Sequence, residues 1–260
     1  IHPNTIKRPR MPLIVFASSA GGVGCSATAA HCAHLFQQMG RPSLAIDFCM
    51  NNGLALALGL AEIPESGWTT SPPQREDSDS WQSAVLQAPN GLHLLPHGAP
   101  HAMHTTTVPT SLYQLLSTSD HVCVVDVGQN LATYAPDLLP LTDVLIVCTR
   151  AQAYAQQQLQ HMLRELSKCE SRPCTLRILA NRYDVRRPSQ KDALSQMMRT
   201  WPDSFLIDTI HEDEHLALSM AQGIPVHECY PQAQVAHDLH GVSHHLMKLL
   251  DTPDSKETCL

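Results

Sequence analysis

Three glycines and a hydroxyl stand between two unlike stretches of chain. The sequence Ser18-Ser19-Ala20-Gly21-Gly22-Val23-Gly24-Cys25-Ser26 follows the apolar run 13–17 and precedes an alanine-rich stretch. Gly21, Gly22 and Gly24 let the backbone turn tightly enough for successive N–H groups to converge on one anion. The positive end of a following helix adds to that field. This spacing suits a phosphate chain, with the Ser26 hydroxyl placed to hold Mg2+. A lysine normally precedes that hydroxyl and reaches the terminal phosphates; here Cys25 takes its place. A glycine pair alone is equally explained by the steric needs of a turn. Its position directly between a buried strand and a helix is what points to a ligand.

Two carboxylates strengthen the reading. Asp47 closes the run 43–47 and Asp126 closes the run 121–126. Both therefore fall on the carboxyl side of a sheet, where open α/β sheets bind ligands. A carboxylate after a hydrophobic strand can hold Mg2+ or its water shell. Either Asp alone reads as a turn or cap residue; the pair beside a glycine-rich loop reads as a site.

The elements that must position these groups follow from the apolar pattern. Continuous apolar runs at 13–17, 43–47, 91–95, 121–126, 143–148, 175–181 and 205–207 read as buried strands. Helical stretches fall at about 26–39, 151–169, 189–201, 214–222 and 232–250. Repeated strand–helix units with buried strands predict an α/β fold: a mostly parallel sheet with helices on both faces. Residues 62–80 and 96–109 break the pattern with prolines and polar residues and read as surface loops. One domain is expected over 11–250, with a flexible extension at 1–10 and a disordered tail at 251–260.

Composition excludes several classes. A hydrophobic share of 43% rules out a disordered chain, and a net charge of −7 argues against holding nucleic acid by charge. The nine cysteines fall mostly in apolar segments and read as free thiols in a reducing compartment. No apolar run approaches the ~20 residues that span a bilayer. The expectation is a cytoplasmic protein that meets a membrane only through partners.

With these residues in place, the chain resembles the ParA/MinD group of P-loop ATPases. That group carries Lys-Gly-Gly-Val-Gly-Lys-Thr where this sequence has Ala20-Gly21-Gly22-Val23-Gly24-Cys25-Ser26. The resemblance implies an ATP–Mg2+ site. Gly21, Gly22, Val23, Gly24, Cys25, Ser26 and Ala27 would cradle phosphates, Ser26, Asp47 and Asp126 would serve the metal, and Asp47 would orient the attacking water. Asn181 would contact the base. A narrower similarity, to the BcsQ family of bacterial cellulose synthesis, rests on Gly67-Trp68, Trp81 with Ala84, Leu95-Pro96-His97-Gly98 and Asp47-Phe48-Cys49-Met50-Asn51-Asn52. It implies a homodimer serving cellulose synthase complex proteins with a small accessory subunit, peripheral at the inner membrane or a cell pole.

The departures bear on mechanism. Ala20 and Cys25 replace both loop lysines, and each charge-assisted contact is worth ~1.5–3 kcal/mol. Phosphoryl transfer depends on cations at the developing charge. Nucleotide binding with slow or absent hydrolysis is therefore expected unless Arg150, Arg182, Arg186 or Arg187 substitutes. A nucleotide-free scaffold for a secretion or pilus apparatus and a MinD-like partitioning ATPase are the alternatives.

Other groups are weighed and set aside. Cys25 at a helix N-terminus could be a reactive thiol, against the simpler reading of a small filler in the lysine's slot. His31 and His34 share a helix face, as do His237, His240 and His244, without accompanying metal-binding motifs. Val235, Leu239, Val242, Leu246 and Leu249 form a stripe that reads as core-facing.

Overall fold

A computed structural model of the chain describes residues 12–70, 81–99, 107–169 and 174–251. The expected extension at 1–10, most of the tail and parts of both surface loops lie outside these residues.

The chain begins with β1 (Leu13–Ser18), whose Leu-Ile-Val-Phe-Ala run is buried on both faces. Then come α1 (Cys25–Gln38), β2 (Ser43–Asp47), a short α2 (Gly53–Ala57), β3 (Leu86–Gln87), β4 (His93–Leu95) and α3 (Thr110–Thr118). The second half runs β5 (Val122–Gly128), α4 (Leu131–Leu138), β6 (Val144–Thr149), α5 (Ala153–Leu166), β7 (Thr175–Ala180) and α6 (Pro188–Thr200). Helices α7 (Glu214–Gln222), α8 (Val226–Cys229) and α9 (Gln234–Asp251) close it. The strands form one sheet in the order β3-β4-β2-β5-β1-β6-β7. All pairings are parallel except β3 with β4.

Alternation along β1 divides the core between two layers. Ile14 and Phe16 pack with α1, α2, α8 and α9, whereas Leu13, Val15 and Ala17 pack with α3, α4, α5 and α6. The predicted architecture, a mostly parallel sheet covered on both faces, is what the chain adopts. The stripe on α9 is core, with Val235, Leu239, Val242 and Leu246 buried and Leu249 packed against them.

The seventh strand expected at 205–207 does not form as an element. Phe205 makes only an isolated bridge to Ile178, and Ile207 is 79% exposed. Two buried residues there suffice for one backbone exchange with β7 and no more. The unpredicted α2, α3, α4 and α8 are short, and α3 and α4 bury narrow leucine-bearing faces against one side of the sheet.

Candidate functional site

The loop leaves the carboxyl end of β1 and enters α1 through Gly24, which has φ +86 and precedes the first helical residue. Only glycine takes that conformation freely. Among the described residues, the amides of Gly21 through Ala27 donate to no protein acceptor. Such a row of unspent donors at a helix N-terminus is an anion cradle. Gly22, at φ +68, has open space where a Cβ would stand. The loop walls a cavity of about 550 Å³, to which Ser26, Cys49, Asn51, Gln129 and Met220 also contribute. A second cavity of about 580 Å³ between α4 and α5 shares Ser18 and Gln129 but none of the predicted site residues.

Parallel pairing of β2 with β5 sets Asp47 directly beside Asp126 in register. Both are fully buried, beneath the cavity rather than on its wall. Asp47 Oδ1 accepts from the Cys49 N–H at 2.8 Å, and its Oδ2 accepts from the Leu54 N–H at 2.9 Å. It thus braces the first turn of α2, the cap role open to a lone Asp. Asp126 Oδ1 accepts from the Gly128 N–H at 2.9 Å, while its buried Oδ2 has no hydrogen-bond partner. Burial raises the pKa of both carboxyls, and repulsion from Asp126 raises Asp47 further. The Ser26 hydroxyl and the Gly128 N–H pull Asp126 partly back. One ligand atom each from Asp47, Cys49 and Asp126 lies within 4.8 Å of the others. Two adjacent carboxylates, one with an orphaned oxygen, and a nearby serine hydroxyl make an oxygen donor set that fits Mg2+.

Cys25 stands in the cavity wall but is almost wholly buried there. Its thiol lies 3.5 Å from Asp126 Oδ1 in a buried setting. A hydrogen bond with Cys148 and burial push its pKa well up, and the charge of Asp126 pushes the same way. The helix terminus is overridden, and the filler reading of Cys25 is the one the geometry matches. Ala20, partly buried, lines the cavity and packs against the core.

The four arginines now separate. Arg150 Nη2 donates to Gly22 O at 2.8 Å and Arg182 Nη1 to the same oxygen at 3.2 Å. Arg182 also holds Glu212 through two bonds of 2.7 and 2.8 Å. Arg186 and Arg187 pair with Asp184 instead. Asn181 stands outside the cavity wall. Its Nδ2 donates to Thr28 Oγ1 at 2.9 Å and to Gly24 O at 3.3 Å, and its Oδ1 accepts from the Arg182 N–H at 2.7 Å. It ties the end of β7 to the loop.

Several contributors were not assigned a role from the residues. Trp68 donates its Nε1–H to Asp47 O at 2.7 Å and packs on Phe48 and Tyr134. Asn52, at φ 47, pairs with Gly98 through its Nδ2 (2.9 Å) and Oδ1 (3.2 Å). Cys49 closes the gap between the carboxylates, and a Cβ on Gly128 would meet its Sγ at 2.7 Å. The signals were the Gly-Trp pair and the Asp-x-Cys-x-x-Asn spacing, whose partners lie far apart in the chain.

The family model described as Cellulose biosynthesis protein BcsQ matches residues 11–247. The chain belongs to the BcsQ family. No curated protein sequence matches it. Among solved structures, a ParA family ATPase from Chlorobium tepidum TLS aligns with a TM-score of 0.71 at 20% identity. That alignment covers 91% of this chain and 99% of that one. MinD from Pyrococcus horikoshii OT3, complexed with Mg-ADP, gives 0.68 at 18% identity over 92% and 97%. An ATP complex of a McdA variant from Cyanothece gives 0.70 at 21% identity over 92% and 97%. At these identities the likeness establishes the fold, which is that of ParA/MinD-type P-loop ATPases. The BcsQ family assignment and the fold agree with the resemblance read from the loop, Asp47 and Asp126.

Proposed function

We propose that this BcsQ-family chain binds ATP with Mg2+ and serves bacterial cellulose synthesis and secretion as a dimeric assembly or localisation factor, with weak or no hydrolysis. The observation that carries the reading is the row of unspent amides from Gly21 to Ala27 above the Asp47–Asp126 pair. ATP–Mg2+, when bound, supplies a polyanion and a divalent cation whose charges these groups complement. Gly21, Gly22, Val23, Gly24, Cys25, Ser26 and Ala27 hold phosphate oxygens through backbone N–H groups. Ser26, Asp47 and Asp126 hold the metal or its water shell, and Asp47 orients the attacking water where hydrolysis occurs. Asn181 reaches the base only by giving up part of its bonding to the loop, so its first duty is to shape Gly24. The ADP and ATP named with the MinD and McdA structures support the nucleotide. The family description supports the cellulose role. The MinC:MinD cell division complex from Aquifex aeolicus is a precedent on this fold for assembly with partner proteins.

Weak hydrolysis follows from charge. Neither Ala20 nor Cys25 brings a cation to the phosphates. Arg150 and Arg182 grip the outer carbonyl of Gly22 and stiffen the loop from behind. Calorimetric titration with ATP and with ADP in Mg2+ tests the reading, alongside Asp47→Ala and Gly24→Arg. Saturable binding to the wild type that Gly24→Arg abolishes is expected. Absence of heat and of thermal shift on folded protein would leave the nucleotide-free scaffold as the function. Steady-state turnover well above background would instead favour the partitioning ATPase.

A further inference from the structure

On the α1 side of the sheet, apart from the nucleotide loop, imidazoles from three helices meet. His31 and His34 project from α1, His227 from α8 and His240 from α9. The ring centroids of His34 and His227 are 5.1 Å apart, and those of His227 and His240 are 5.6 Å apart. Glu228 of α8 brings Oε1 to 3.7 Å from His34 Nε2. One ligand atom each from His34, His227 and Glu228 lies within 4.8 Å of the other two.

His31 is accounted for by its own bonds. Its Nδ1–H donates to Ala27 O at 2.8 Å and its Nε2 accepts from the Val226 N–H at 3.3 Å. His227 is not: it is buried, and neither ring nitrogen makes a hydrogen bond. A buried imidazole with both nitrogens unspent is costly unless something else satisfies it. A proton does not, because it would bury a charged ring among the rings of His31, His34 and His240. Neutral rings facing a carboxylate are what a borderline metal ion takes as ligands.

We infer that His34, His227 and Glu228 form a binding site for a divalent transition metal of the zinc class, with water or His240 as the fourth ligand. Tetrahedral donors about 2.0 Å from zinc lie roughly 3.3 Å apart. The present separations close to that by rotation of side chains; Glu228, with 43% of its side chain exposed, gives up or shares the bond that its Oε1 accepts from Gln38 Nε2 at 3.0 Å. The ion would clamp α8 to the middle of α1, the helix whose first residues form the phosphate cradle. The site is independent of the nucleotide reading.

The test uses the full chain, stripped of metal with a chelator and titrated with Zn2+ against a competing chromogenic chelator. That competition hides the weak sites offered by other surface histidines. One tight equivalent is expected. It should be unchanged in Asp47→Asn, which disables the carboxylate pocket, and weakened about 100-fold or more in His227→Gln and in Glu228→Gln. Cobalt(II) should give the intense visible bands of a tetrahedral site in the wild type and lose them in the same variants. Zn2+ should raise the melting temperature of the wild type but not of Glu228→Gln, a partly exposed position whose variant folds even where His227→Gln does not. No tight equivalent, or one that Asp47→Asn removes and Glu228→Gln keeps, would overturn the assignment.

Discussion

Replacing Gly24 with alanine tests how the loop is held. Gly24 has φ +86, a conformation that costs an L-residue ~1–2 kcal/mol. The new Cβ would also meet Asn181 Nδ2 at 2.8 Å, too close for any real contact. Asn181 must then move and forfeit its bonds to Thr28 Oγ1 and Gly24 O. Each such bond contributes ~0.5–1.5 kcal/mol, so Gly24→Ala should cost roughly 3 kcal/mol in all. Urea unfolding followed by tryptophan fluorescence measures it. The decisive comparison is a double-mutant cycle with Asn181→Ala. If the collision is real, Gly24→Ala costs only its backbone share once Asn181 is gone, and the pair is sub-additive by about 1–2 kcal/mol. Additivity within ~0.5 kcal/mol would refute the idea that Asn181 braces the loop.

Other expectations follow from the same contacts. His31 is held neutral, its pKa lowered to about 4 by burial, and it needs an unprotonated Nε2 to accept from Val226. Its folded pKa lies below the ordinary value of about 6.5, so its contribution is complete above that pH and is lost as pH falls toward 4. In chelator, the wild type should lose about 3 kcal/mol more than His31→Gln over that window, read from urea midpoints. With Cys25 buried and its pKa raised, a thiol reagent on native protein should label the partly exposed Cys169 and Cys229 while Cys25 waits for unfolding. Peptide mapping reads the order, and early labelling of Cys25 would revive the reactive thiol. Trp68→Phe keeps the ring packing but removes the 2.7 Å bond to Asp47 O, and should lower stability by ~1–2 kcal/mol in thermal melts. Arg150→Ala leaves the Gly22 carbonyl to Arg182 alone and should weaken ATP about 10-fold by calorimetry, whereas Arg186→Ala should not.

Local pattern was enough for the parts of this protein that are local. The apolar run of β1, the glycines after it and the alanines of α1 place a phosphate loop without reference to anything distant. Helix α7 was legible to the residue, because Asp213 caps its start by accepting from the His215 N–H and Gly223 ends it at φ 67. Asp47 closes β2 as its apolar run suggests, whereas Asp126 lies two residues short of the end of β5, which continues through Val127 to Gly128. That they stand side by side was not legible. It depends on β2 pairing with β5, and strand order is settled by how helices cover both faces of the whole sheet. The same holds for the way Cys25 turns toward Asp126 and for the choice of Arg150 and Arg182 over Arg186 and Arg187. It holds too for His34 and His227, which are 193 positions apart in the numbering and meet only because α8 packs on α1. Backbone preference and hydrophobic period act over a few residues, so they determine elements. Which side chains share a site is decided by long-range packing, and that free energy is realised only in the folded chain.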